Sequence, residues 1–94
     1  MSTGPLAPAP ERGSYLDYEG LRDAAAEAIK AARLKQAEAA AAVAEFNPDR
    51  KKPPTVSAIS NAVRETGPSV AALQLDIIGA LTGATLSGPL YRVE

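Results

Sequence analysis

The chain has 94 residues, a formal charge of −1, and neither cysteine nor histidine. That length supports one small domain. The missing residue types exclude disulfide staples, Cys/His zinc sites and histidine-based general-base catalysis. Hydrophobic residues make up 46% of the chain, with one Phe, three Tyr and no Trp; such a composition suits close-packed short helices better than a β-sandwich.

Residues 1–13, MSTGPLAPAPERG, hold three prolines and two glycines without periodicity, and are expected to form a disordered arm. They lack the basic stretch and apolar run of a signal peptide. The longest small-apolar run, AEAAAAVAEF, is too short and too charged to span a bilayer. A soluble cytoplasmic protein that makes no membrane contact is therefore expected.

Order is expected to begin near SYLDYEG, where Asp17 can cap a helix running through LRDAAAEAIKAARL. Glu19 and Asp23 come early in it and Lys30 and Arg33 late, as the helix dipole prefers. Leu21, Ala25, Ala28, Ile29 and Ala32 form an apolar stripe of helical period. Its alanines require partner helices to approach closely. A break near Arg33-Leu34-Lys35 would separate a second helix, QAEAAAAVAEF, although helix propensity alone would allow one helix from Leu21 to Phe46.

Asn47-Pro48 ends that segment, and NPDRKKPP reads as an exposed basic loop. Pro54 is suited to the first turn of a third helix, TVSAISNAVRE, with Val56, Ile59 and Val63 turned inward. Thr66-Gly67-Pro68 ends it. Ser69 is expected to cap a fourth helix, VAALQLDIIGALTG, with Val70, Leu73, Ile77, Ile78 and Leu81 buried and Gly83 closing it. In the tail, LYRV reads as a short strand or a packed extended arm. The rings of Tyr15, Tyr18 and Tyr91 are expected to cover the core with their hydroxyls in water. The expected fold is thus all-α: a compact bundle of four to five short helices over residues 14–94, with a helix-turn-helix, an extended turn and a short C-terminal strand or arm.

The small net charge conceals a polarised chain. Residues 1–29 balance at −3, residues 30–64 at +4 through Lys30, Arg33, Lys35, Arg50, Lys51, Lys52 and Arg64, and residues 65–94 at −2. A central basic block between acidic flanks permits an anionic partner. Most basic loops are simply solvated, and exposed Asn and Arg on a helix usually are too.

The segments DYEGLRDAAAEAIKAARLKQAEAAAAVA, TVSAISNAV and LQLDIIGALTG, in that order, resemble the phage-repressor helix-turn-helix superfamily of Cro-like and lambda-repressor-like (XRE-type) domains. The features that carry the resemblance are Gln36 opening helix two, Ala40 four residues later, and Thr55-Val56-Ser57 opening the third helix. IIGALTG is similar to the family's closing core helix and GPLYRVE to its C-terminal strand. The likeness covers roughly residues 17–94. One departure is the turn: Val56 lies thirteen positions after Val43, about six more than the compact turn of the motif. Ala44 also stands where the family's turn glycine is expected.

The resemblance implies a sequence-specific double-stranded DNA-binding regulator, repressor-like and of phage or mobile-element type, with the helix at about 55–65 in the major groove. With Val56, Ile59 and Val63 inward, a 100° step turns Ser57, Ala58, Asn61 and Arg64 toward the bases. Asn61 would pair with adenine, Arg64 with guanine or phosphate, and Ala58 with a thymine methyl. Ser57 and Thr55 would donate to phosphate. Gln36 would touch phosphate as in the family, and Arg50, Lys51 and Lys52 would add sequence-independent affinity.

A lone recognition helix reads few base pairs, so a homodimer is expected. The family's C-terminal strand implies Leu90, Tyr91, Arg92 and Val93 as its contact. No enzyme activity, cofactor, metal or small-molecule ligand is expected. The competing reading is a helical protein-interaction module, adaptor or antitoxin-like, without specific DNA binding.

Overall fold

A computed structural model describes residues 13–47, 54–87 and 91–93. In chain order it contains α1 (Tyr18–Ala32), α2 (Gln36–Phe46), α3 (Val56–Ala62), α4 (Pro68–Thr82), β1 (Leu86–Ser87) and β2 (Arg92–Val93). The described residues form an all-α bundle of four helices with a small strand pairing at its edge. Of the expected disordered arm, only Gly13 lies within them.

Helix α1 starts where expected: the Asp17 carboxylate accepts a hydrogen bond from the Gly20 N–H at 2.7 Å, satisfying one of the four N–H groups a helix start leaves open. Its end settles the α1–α2 question. Arg33 takes a left-handed conformation with φ 58°, which a straight helix cannot accommodate. The Leu34 N–H then reaches back to the Ile29 carbonyl at 3.2 Å and that of Arg33 to Lys30 at 3.1 Å, a double closure normally built on glycine. Helices α1 and α2 are therefore separate.

Helix α4 packs against α1, α2 and α3. Leu21, Val43, Ile59, Ile77, Ile78 and Leu81 fill the centre, fully excluded from solvent. Ala25, Ala28, Ala39, Ala40, Ala62 and Ala71 are buried among them, and these small side chains let the helix backbones come close. Gly79 extends the same principle. A Cβ built on it would lie 2.5 Å from Cζ of Phe46, because the ring rests over the α4 backbone.

The structure corrects several details. Gly67 precedes α4 as its N-cap and Pro68 occupies the first turn, so Ser69 is not the cap; proline at that position loses no helical hydrogen bond. Pro54 lies before the Thr55 cap of α3 and not within its first turn. In α4, Val70 and Leu73 are only half-buried, and Ala71 and Gln74 are buried in their place. Gly83 does end α4, with φ 76°. Ala44 is an ordinary residue inside α2, not part of a turn. Tyr15 is 63% exposed and covers no core. Tyr18 is also exposed, while half-buried Tyr91 packs against the core with its ring centroid 6.3 Å from that of Tyr18.

The tail forms a strand, and both of its sides are occupied. Strand β2 pairs antiparallel with β1 in the register Leu86↔Val93 and Ser87↔Arg92. On the other side Tyr15 bridges Arg92, with the Val93 N–H donating to the Ser14 carbonyl at 2.8 Å and the Leu16 N–H to the Tyr91 carbonyl at 2.9 Å. Pairing of Arg92–Val93 across a dimer would have to displace one of these neighbours. Leu90 lies outside the described residues. No described helix is long and apolar enough to cross a membrane.

Candidate nucleic-acid interface

Helix α3 is short, seven residues, and three features hold it in place. At its start the Thr55 hydroxyl oxygen accepts from the Ala58 N–H at 3.0 Å. Along its inner face Ile59 and Ala62 are fully buried. At its end Gln74 of α4, itself fully buried, donates from Nε2 to the Ala62 carbonyl at 2.8 Å and to the Glu65 carbonyl at 2.9 Å. Carbonyls at a helix C-terminus have no partner in the helix itself. Gln74 supplies one from a neighbouring helix, tying the last turn of α3 to the core.

This anchoring rotates the helix from the orientation its valines imply. The inward direction lies between Ile59 and Ala62, roughly 60° from the centre of the Val56, Ile59 and Val63 stripe at 100° per residue. Val56 is consequently 48% exposed and Val63 half-buried. The cause is Ala62: its single methyl permits close approach to α4, and its carbonyl is one of the two that Gln74 holds.

The rotation sorts the expected base-reading residues. Ser57 and Asn61 are exposed on the outward face of α3, and Arg64 is exposed in the turn just after it, because the helix expected through Glu65 ends at Ala62; Ala58 is half-buried. Arg64 and Asn61 are also linked: Nη2 of Arg64 donates to Oδ1 of Asn61 at 3.2 Å, and its Nε donates to the Ser60 carbonyl at 3.2 Å. Thr55 is exposed, with its oxygen already engaged in capping; only its hydroxyl proton remains for a phosphate.

Gln36 opens α2 and is half-buried. The turn before it is cationic, since Lys30, Arg33 and Lys35 are all exposed there. Glu38, however, places its carboxylate 2.8 Å from the Lys35 N–H. This acid occupies the anion-favouring end of α2 and opposes a phosphate at the same point. Arg50, Lys51 and Lys52 fall in the connection between α2 and α3, outside the described residues. Just before it, Phe46 is 52% exposed. In α1, Arg22 bridges its neighbour Asp23 at 3.0 Å.

Gln74 is the residue that sequence reasoning missed. Its signal was present, because Gln74, Ile77, Ile78 and Leu81 recur at i, i+3, i+4 and i+7. A polar residue on the core stripe of a helix marks a hydrogen-bonding task inside the core.

No protein-family model, curated protein or solved structure matches this chain.

Proposed function

We propose that this chain is a sequence-specific double-stranded DNA-binding regulator of repressor type, with α3 entering the major groove. The observation that carries this reading is the exposure of Ser57 and Asn61 on the face of α3 opposite its fully buried Ile59 and Ala62, with exposed Arg64 in the turn that follows the helix and bonded back to Asn61. A reading helix needs this division: short or polar side chains toward the base edges and a fixed backbone behind them. The basic run Arg50, Lys51 and Lys52 enters immediately before that helix and would supply phosphate contacts. A homodimer on a two-fold site belongs to the same proposal. Because β2 is paired on both sides, its dimer contact would lie elsewhere than on the Arg92–Val93 backbone.

Selection from a random duplex library, followed by anisotropy titration of the enriched site over a salt series, tests this reading. An enriched motif is expected, with affinity falling as salt rises. Replacing Arg50, Lys51 and Lys52 with alanine should weaken binding to all duplexes. It should also reduce the slope of log K against log salt by about 1 for each phosphate that is no longer neutralised.

A second reading is favoured by Phe46 and Val56, apolar side chains about half exposed on either side of the basic connection. It is a protein-interaction module, and it predicts a stoichiometric protein complex with no salt-dependent duplex binding.

A further inference from the structure

We propose that Arg64 sets the base preference of α3 by reading the O6/N7 edge of a guanine, and that Asn61 is its positioning residue and not an independent reader of adenine. This rests on the DNA-binding reading above.

A guanidinium offers two edges for paired donation. The side edge combines Nε–H with one Nη2 hydrogen, and the end edge combines one hydrogen from each Nη. In Arg64, which lies in the turn just after α3, the side edge is spent on the end of that helix, with Nε on the Ser60 carbonyl and Nη2 on Asn61 Oδ1, both at 3.2 Å. The end edge has no partner among the described residues. Two parallel N–H groups at that edge match the paired acceptors of guanine in the major groove.

Asn61 is changed by the same contact. Reading adenine takes both ends of its carboxamide, the oxygen accepting from N6 and the nitrogen donating to N7. Its oxygen is already engaged with Arg64. The backbone beneath is held too, since the carbonyls that Gln74 binds, Ala62 and Glu65, flank Arg64 on both sides. Pinning a long side chain at both its base and its head before binding removes much of the ordering cost of docking.

The test is duplex selection with the full chain in parallel for wild type, Arg64→Ala, Arg64→Lys, Asn61→Ala and Asn61→Asp. Circular dichroism confirms that each is folded. Wild type should enrich a site with a guanine favoured at least about fivefold over other bases at one position. Arg64→Ala and Arg64→Lys should both erase that preference, because lysine lacks the fork. Asn61→Ala should reduce the same guanine preference, and Asn61→Asp, which still accepts from Arg64, should retain it. The assignment is overturned if Asn61→Ala relaxes an adenine position while guanine stays favoured, or if guanine stays favoured in Arg64→Ala. Enrichment of no duplex by wild type would instead overturn the DNA-binding reading, and the guanine assignment with it.

Discussion

Gln74 reaches from the middle of α4 to the last turn of α3, its amide nitrogen 2.8 Å from the carbonyl oxygen of Ala62. A second bond from the same nitrogen, to Glu65 at 2.9 Å, uses its other hydrogen, while Oε1 is buried without a hydrogen-bond partner among the described residues. Gln74→Met keeps the volume but strands the buried Ala62 carbonyl and frees the part-buried one of Glu65, and should lower stability by about 1–3 kcal/mol. Gln74→Glu turns a charged acceptor toward two acceptors and should cost more. That penalty should be smallest below roughly pH 4, where the introduced carboxyl is protonated and can donate. Urea unfolding at neutral and acidic pH measures both; a Met variant as stable as wild type would show that the amide contributes little.

The left-handed Arg33 is a second place where stability responds to one side chain. A non-glycine residue in that conformation costs about 1–2 kcal/mol, offset in part by the hydrogen bonds that close α1. Arg33→Gly should raise stability by up to about 1 kcal/mol, and Arg33→Val should lower it, because a β-branched side chain tolerates this backbone least. Thermal melts of the two variants should bracket the wild type.

Phe46 and Gly79 should behave as a coupled pair. With Phe46 present, Gly79→Ala must push aside a ring that lies 2.5 Å from the new Cβ, offsetting the helix propensity alanine brings. In a Phe46→Ala background the same change should stabilise by about 1 kcal/mol. A double-mutant cycle reads the difference, and simple additivity would mean that the ring does not rest on α4 in solution.

Thr55 links stability to the proposed interface. Thr55→Ala removes the cap of a helix only seven residues long and should cost about 1 kcal/mol, whereas Thr55→Ser should stay near wild type. Amide exchange should show the loss first at Ala58, whose N–H the cap engages.

Most helix boundaries could be read from the chain because their signals are local, but the α1–α2 break could not, since Arg33 stands where a glycine normally closes a helix. Asp17, Asn47, Gly67-Pro68 and Gly83 each act on their own turn, and a helix begins or ends at each of them, whereas α3 ends at Ala62 and not at Thr66 as expected. The rotation of α3 could not be read in this way. Its valines are the larger apolar residues and draw the expected face toward themselves, whereas the core accepts Ala62 because α4 must come close and Gln74 must reach its carbonyl. Both requirements lie in another helix, twelve residues away in sequence. Ser57 and Asn61 were legible as outward because that rotation leaves them opposite the buried face, and Arg64 is exposed in the turn that follows. The Asn61–Arg64 bond was legible only as an i,i+3 spacing, which brings two side chains near without saying which atoms they spend on each other. The doubly paired β2 was hidden for a related reason: its second neighbour, residues 13–16, comes from the opposite end of the chain.

The most direct test of DNA reading by α3 is the ratio of two dissociation constants for the full chain at one physiological salt concentration. One is for the duplex it enriches from a random library, and the other for a scrambled duplex of the same composition. A specific reader should bind the enriched site at least about a thousandfold more tightly, and Arg64→Ala should shrink that ratio. Equal affinity for the two duplexes, or no enriched duplex at all, would contradict sequence-specific reading and turn attention to the exposed Phe46 and Val56 as a protein-binding surface.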